Sequence, residues 1–350
     1  MQTFEQYVQA ARRYDASDIH ISVGFPVQMR VDGEIRQMDS GILSAEDCEA
    51  IIFPVLNDVR RQTFESNGEV DFAYELSGLR LRVNIYRESG RVALAARLIK
   101  DVIPPLSELG LPECLSELQY KRSGLILVTG ITGSGKSTTM ASLVNIINQK
   151  FPYHIITLEE PIEYVFPKGR SVVHQREIGS DTLNFPSALR AAMRQDPDVI
   201  LLGEMRDPET MATAITAAET GHLVLSTLHT MGAANTVDRI IDSFPAHQQQ
   251  QVRMQLADIL VCVISQRLIP RTDGHGRAVA TEVMFANSAI RNNIRESKTF
   301  MISNTILASK KQGMVMMDDS IAELYARGII SRDDALLYAQ DREALQKKIF

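Results

Sequence analysis

The chain is poor in cysteine. Cys48, Cys114 and Cys262 are its only three, odd in number and far apart. They form no C-x-x-C pair, which argues against a zinc knuckle and a disulfide framework. They read instead as small buried hydrophobes in a reducing compartment. A basic excess is also missing. The 37 Lys and Arg are outnumbered by 43 Asp and Glu, for a net charge of −6. Affinity for duplex DNA comes largely from basic residues that neutralise phosphates, so nucleic acid is not an expected partner. No apolar run approaches the roughly 18–20 residues that a membrane span needs. The opening stretch MQTFEQYVQAARRYDASD carries charges throughout and lacks the apolar segment of a signal peptide. The expectation is a cytoplasmic protein with no direct membrane insertion, reaching a membrane only through a partner. Repeats and low-complexity segments are absent as well.

What the chain does have is 350 residues, 45% of them hydrophobic, enough for about two domains. Residues 3–14 read as a short helix with Phe4, Val8 and Ala11 on one face. Short strand-like runs follow: Asp18–Val23, then Val27–Val31 and Glu34–Met38 joined by the hairpin signal Asp32-Gly33. Ser44–Phe64 reads as one Ser-capped helix. Val70–Leu76 and Leu79–Tyr86 flank a Ser77-Gly78 turn, and Val92–Ile99 closes a small α+β domain spanning residues 1–100. Pro104-Pro105 marks a linker at 101–110. In 111–285 the apolar strand runs Leu125–Thr129, His154–Leu158, Val199–Leu202 and Leu223–Thr227 alternate with helical patterns. One of these is Pro208–Thr220, capped by Asp207. That alternation predicts a doubly wound α/β sheet. Residues 286–350 read as mostly helical.

The strongest motif is Gly130-Ile131-Thr132-Gly133-Ser134-Gly135-Lys136-Ser137, which fits G-x-x-x-x-G-K-[ST] between an expected strand and an expected helix. Its glycines let backbone N–H groups wrap phosphates, and the helix N-terminus adds positive potential. Gly130, Thr132, Gly133, Ser134, Gly135, Lys136, Ser137 and Thr138 are therefore the candidate ATP-binding residues. Lys136 is expected at the β/γ-phosphates and Ser137 on Mg2+. Glu204, at the end of the Val199–Leu202 run, stands where a Walker B carboxylate sits, near Mg2+ or its water. Glu159, Glu160 and Glu163 crowd the end of another strand, and hydrolysis needs one carboxylate to orient water; the residues alone leave open which. His222 and His229 flank Leu223–Thr227. They read either as hydrogen-bonding histidines or as reporters of the γ-phosphate. Arg80 and Arg82 alternate with Leu79, Leu81, Val83 and Ile85, so period two turns both outward, and with Arg97 they read as solvated charges.

Together these elements resemble the secretion ATPases that drive bacterial type II secretion and type IV pili. Ala16-Ser17-Asp18-Ile19-His20, the P-loop, LEEPIEY, GEMRD and HLVLSTLHT occur in that family's order. The resemblance implies a PAS-like N-terminal domain, a RecA-like ATPase domain and a homohexameric ring. It implies Glu163 as the catalytic glutamate, Glu204 as the Walker B acid and His222 with His229 as the His-box pair. Arg82 and Arg97 become candidates for a neighbouring subunit's γ-phosphate, which reverses their reading as plain surface charges. Within the family the chain is most similar to pilus-retraction motors. Ala289-Ile290-Arg291-Asn292-Asn293-Ile294-Arg295-Glu296 resembles their AIRNLIRE signature, and the four-cysteine motif of many extension motors is missing. Asn293 replaces the signature Leu, and Ile131 replaces the usual P-loop Pro. The resemblance implies hydrolysis of ATP to retract pili, with an inner-membrane platform protein as partner at the pilus base. An extension or secretion motor is the alternative, and a nucleic-acid translocase a remote one.

Overall fold

The computed structural model describes residues 2–31, 34–99 and 102–349. The Asp32-Gly33 turn signal and the start of the expected linker at Asp101 lie outside the described residues. The chain divides into two compact units, Met1–Val102 with Glu163–Val165, and Ile103–Ile162 with Phe166–Phe350.

The first unit opens with α1 (Phe4–Arg13). Thr3 caps it, accepting from Gln6 N, while the Gln6 side chain accepts from Thr3 N, so two orphan donors are satisfied reciprocally. Strands β1 (Asp18–Ile21), β2 (Gln28–Val31) and β3 (Glu34–Gln37) follow. The single helix expected over Ser44–Phe64 is two. α2 (Ala45–Ile52) starts at the Ser44 cap, a 3-10 turn runs over Phe53–Val55, and α3 (Asp58–Asn67) restarts at an Asn57 cap. Pro54 explains the break, because it has no N–H for the helical ladder and its ring crowds the preceding turn. β4 (Glu69–Leu76), β5 (Leu79–Glu88) and β6 (Arg91–Leu98) complete an antiparallel sheet of order β3-β2-β1-β6-β5-β4. In β5, Leu79, Leu81, Val83 and Ile85 are buried, leaving Arg80 and Arg82 on the opposite face. Direct cross-strand pairing sets Arg82, Arg97, Asp18 and Arg30 in one row.

The second unit is built on β7 (Gly124–Thr129), every residue of which is buried. It continues with α4 (Lys136–Lys150), β8 (His154–Glu159), β9 (Val172–Glu177), α5 (Phe185–Ala192) and β10 (Val199–Leu202). Then come α6 (Pro208–Glu219), β11 (Leu223–Leu228), α7 (Ala233–Asp242), α8 (Ala246–Ile259), β12 (Leu260–Pro270) and β13 (Arg277–Phe285). The sheet order is β13-β12-β7-β11-β10-β8-β9, parallel throughout except for the β12–β13 pair. One face carries α4 through Met140, Leu143, Val144 and Ile147. The other carries α5 to α8, with Leu189, Ile215, Val237 and Leu256 packed on Leu127, Ile200 and Val224. Each such fully buried side chain contributes about 1.5–3 kcal/mol. β9, β12 and β13 were not expected from the sequence. The remainder is helical: α9 (Ser288–Arg295), α10 (Ile302–Ala308), α11 (Met317–Ala326), α12 (Arg332–Tyr338) and α13 (Arg342–Lys348). Among the described residues, no helix is long and apolar enough to cross a membrane.

Candidate active site

The buried strand β7 ends in the glycine loop, and the loop opens α4. Gly130, Gly133 and Gly135 have φ of 142°, 78° and 89°, values a side chain disfavours. Gly130 is also hemmed in: a Cβ there would lie 2.5 Å from both the Gln266 carbonyl oxygen and Ser134 Oγ. Gly130 N donates to Leu228 O at 3.3 Å, so the end of β11 abuts the start of the loop. Lys136, the first residue of α4, is buried, and its Nζ donates to the carbonyls of Gly130 and Ile131 at 2.9 and 3.0 Å. Ser134 Oγ is buried with no hydrogen-bond partner. Thr132 is exposed, while Ser137 and Thr138 are half-buried on the first turn of α4. Positive-φ glycines, an ammonium, an orphan hydroxyl and a helix N-terminus form a donor set that fits a polyphosphate.

Glu204 follows β10 and is 12% exposed in its side chain. Its Oε1 accepts from Arg206 at 2.6 Å, and its Oε2 lies 3.4 Å from His229 Nε2. The two strand ends are tied by Thr227 Oγ1 donating to Gly203 O at 2.6 Å and Met205 N donating to Thr227 O at 3.1 Å. His229 and Glu204 thus meet at the carboxyl ends of β11 and β10, the edge where doubly wound sheets bind ligands. Asp207 caps α6, accepting from Thr210 N and Thr210 Oγ1 at 2.8 and 2.6 Å. Burial alone would raise its pKa, but these donors outweigh it and hold the carboxyl below its ordinary value.

His222 is elsewhere. It precedes β11, its Nδ1 beside Ala217 O at 2.9 Å. Seven residues of extended chain separate it from His229, about 23 Å. Within the second unit it therefore lies at the sheet edge opposite the glycine loop.

The three carboxylates after β8 differ in setting. Glu159 is half-buried and accepts from Thr157 Oγ1 at 2.6 Å, whereas Glu160 and Glu163 are exposed. The loop between them is held by buried Glu177, whose Oε2 accepts from Ile162 N at 3.2 Å. In the first unit, Arg82 makes a two-pronged bond to Asp71, with NH2 at 2.6 Å, and Arg97 Nε donates to Asp18 at 2.9 Å. Asp18 would be raised by burial, yet bonds from Ser17 and Arg97 hold its carboxyl low.

Sequence spacing did not reveal the partners of three residues. Arg206, next but one to Glu204, was legible as a charge but not as its partner. Gln266 is buried beside the loop and donates from Nε2 to Thr139 Oγ1 of α4 at 3.0 Å. Arg291, in the signature helix α9, donates to the carbonyls of Ala257 and Asp258, to Leu260 O at 2.9 Å and to Ala286 O at 3.0 Å. It caps the C-terminus of α8. Burial lowers its pKa, against the pull of Asp258. Arg295 pairs with the Asp258 carboxylate. Asn293 donates to Thr305 Oγ1 of α10 at 2.9 Å, which gives the departure from the signature Leu a polar partner.

A glycine loop between a buried parallel strand and a helix, with an acid two strands away at the same edge, defines a P-loop nucleotide-binding core on a RecA-like sheet. The chain belongs to the type II/IV secretion system protein family, whose model matches residues 1–341. It is 45% identical over 318 residues to a twitching motility protein of Neisseria gonorrhoeae, covering 91% of this chain and 85% of that one. It is 44% identical over 321 residues to the type IV pilus retraction ATPase PilT of Pseudomonas aeruginosa, covering 91% and 93%. Its fold is similar to a solved structure of the pilus retraction motor PilT with bound ADP, at a TM-score of 0.92 and 46% identity, covering 99% of this chain and all of that one.

Proposed function

We propose that this chain is an ATP-hydrolysing motor that retracts type IV pili and drives twitching motility. The observation that carries this reading is the meeting of His229 and Glu204 at the strand edge where the glycine loop leaves β7. The loop residues Gly130 and Thr132 to Thr138 cradle the phosphates. Lys136 exchanges its two loop carbonyls for β/γ-phosphate oxygens. Ser137 and Glu204 would hold Mg2+, whose charge would offset that of the phosphates. Glu163 orients the attacking water and draws its proton, a role open to an exposed carboxylate. His229, within reach of Glu204, registers the γ-phosphate. His222 serves the same strand from its far end through its bonds to the α6–β11 turn.

The working form is a homohexamer in which Arg82 and Arg97 act on a neighbouring subunit's γ-phosphate. An arginine supplied from a second subunit stabilises charge that develops on the transferred phosphoryl group. The motor works on the cytoplasmic side of the inner membrane, against a platform protein at the pilus base. The test is deletion in the host together with complementation by the Lys136→Ala chain. Loss of twitching with surplus surface pili, uncorrected by the variant, supports retraction. Loss of pili assigns an extension motor instead, and DNA-stimulated ATPase activity in the purified chain would favour a translocase.

A further inference from the structure

Glu282 is a buried acid outside the residues just assigned. It lies in β13 directly opposite Ser265 of β12, which in turn lies opposite Thr129, the last residue before the glycine loop. Its Oε1 accepts from Ala233 N, the first residue of α7, at 2.7 Å. One residue earlier, Gly232 N donates to Ser265 Oγ at 3.0 Å. Two consecutive N–H groups at the start of α7 are thus satisfied by side chains of the β12–β13 pair. A helix N-terminus favours a negative charge at this place. Burial pushes the carboxyl pKa up, opposed by donors from Ala233, from Met317 at the start of α11 and from the Gln340 side chain. The fit is close: a Cβ on Gly232 would lie 3.5 Å from Glu282 Oε1 and 3.6 Å from Gln340 Nε2.

The segment that these bonds fix is short. His229 is four residues before Ala233, and it carries the contact to Glu204. We infer that Glu282 is a positioning residue for ATP hydrolysis: through its bond from Ala233 N it sets the His229–Gly232 segment against Glu204 and ties that segment to the β12–β13 pair. A carboxylate suits this task because both of its oxygens accept, whereas the isosteric amide has a single acceptor oxygen and can turn an NH2 toward the Ala233 N–H. The inference rests on His229 and Glu204 belonging to the nucleotide site.

The test is a double-mutant cycle on the full chain, with steady-state ATPase kinetics, thermal midpoint and oligomeric state measured for each variant. Glu282→Gln is expected to lower kcat about tenfold, the effect of one charged hydrogen bond, while KM for ATP stays within about twofold. His229→Ala is expected to lower kcat as well, and the double variant to fall no further than the stronger single one, because both act through one element. Ser265→Ala, which spares the charge and removes only the Gly232 acceptor, is expected to fall in the same direction by a smaller factor. It carries the test if Glu282→Gln does not fold. A normal kcat in His229→Ala would sink the site reading and this inference with it. An impaired His229→Ala beside normal Glu282→Gln and Ser265→Ala variants would overturn this inference alone, as would losses that multiply.

Discussion

Arg82 and Arg97 stand directly opposite each other on β5 and β6, and each holds its own carboxylate, Asp71 and Asp18. Two like charges face to face in a sheet repel, so the flanking acids offset a cost that the sheet would otherwise carry. The pair lies on the face of the sheet away from Leu81, Val83 and Ala96, where truncation leaves the core of the first unit intact.

Arg82→Ala should therefore lower ATPase activity about tenfold or more, with stability changed by no more than about 0.5 kcal/mol. The ion pair it loses is half exposed and contributes little. Arg97→Ala should behave alike. Mixing Arg82→Ala subunits with Glu163→Gln subunits should restore activity above either alone. No recovery in assembled mixtures, or full activity in a dilute monomer, would remove the shared site.

Among the carboxylates after β8, Glu163→Gln should keep ATP binding and lower kcat by about 100-fold or more, since an amide cannot serve as the base. Glu204→Gln should also slow turnover, with a raised Mg2+ requirement. Lys136→Ala should lose nucleotide binding or turnover in a folded protein. Parallel nucleotide-binding and turnover measurements on Glu159→Gln, Glu160→Gln and Glu163→Gln decide the base. An inactive Glu160→Gln beside a normal Glu163→Gln would move the role to Glu160.

The two arginines of the signature helix should separate. Arg291 binds three backbone carbonyls at the end of α8 and a fourth, Ala286 O, so Arg291→Ala should cost about 2 kcal/mol of stability, seen as a lower urea midpoint. Arg295 makes an exposed ion pair, and Arg295→Ala should cost less than about 1 kcal/mol. If retraction in cells fails in Arg295→Ala while its ATPase activity stays normal, the helix face around Arg295 serves the partner. Equal stability losses in the two variants would contradict the capping role of Arg291.

Asp207→Ala should destabilise the chain by about 1 kcal/mol at neutral pH through loss of the α6 cap. The folded pKa of Asp207 is depressed, so its contribution is present above the unfolded carboxyl pKa and is lost as pH falls through the folded one. The stability gap between wild type and Asp207→Ala should close on acidification, measured by denaturant titration across the acid range. A gap that widens would reverse the assigned shift.

Much of the active-site neighbourhood could be read before the fold was known. The glycine loop, the acid after β10 and the strand flanked by two histidines are local patterns, and each sits on the element that its pattern implied. Period two placed Arg82 on the outer face because hydrophobic alternation in β5 is unbroken. What escaped was long-range or lacked punctuation. Ile259 passes into Leu260 with no Gly or Pro between α8 and β12, so nothing local announces the strand. Pro54 is the local signal that splits the stretch Ser44–Phe64 into two helices. Three of the bonds from Arg291 reach carbonyls more than 30 residues away, and Ala233 N donates to Glu282 across 49 residues, distances at which sequence spacing says nothing about partners. That His222 and His229 lie at opposite ends of one strand was legible from their positions on either side of Leu223–Thr227.

β12 has one more consequence, for how this chain can vary. Arg291 binds at Leu260, Gly232 at Ser265, Thr139 at Gln266, the carbonyl of Tyr338 at Arg267, and Gly135 lies near Leu268. All five share one strand, so their spacing is set by the pleat. Inserting or deleting a single residue within Val263–Leu268 would turn Gln266 away from α4 and Ser265 away from α7 together. The irregular step at Leu260–Cys262 and the turn after Pro270 can absorb a change in length; the stretch between them cannot. Related chains should therefore drift in length on either side of this segment and keep a fixed residue count within it.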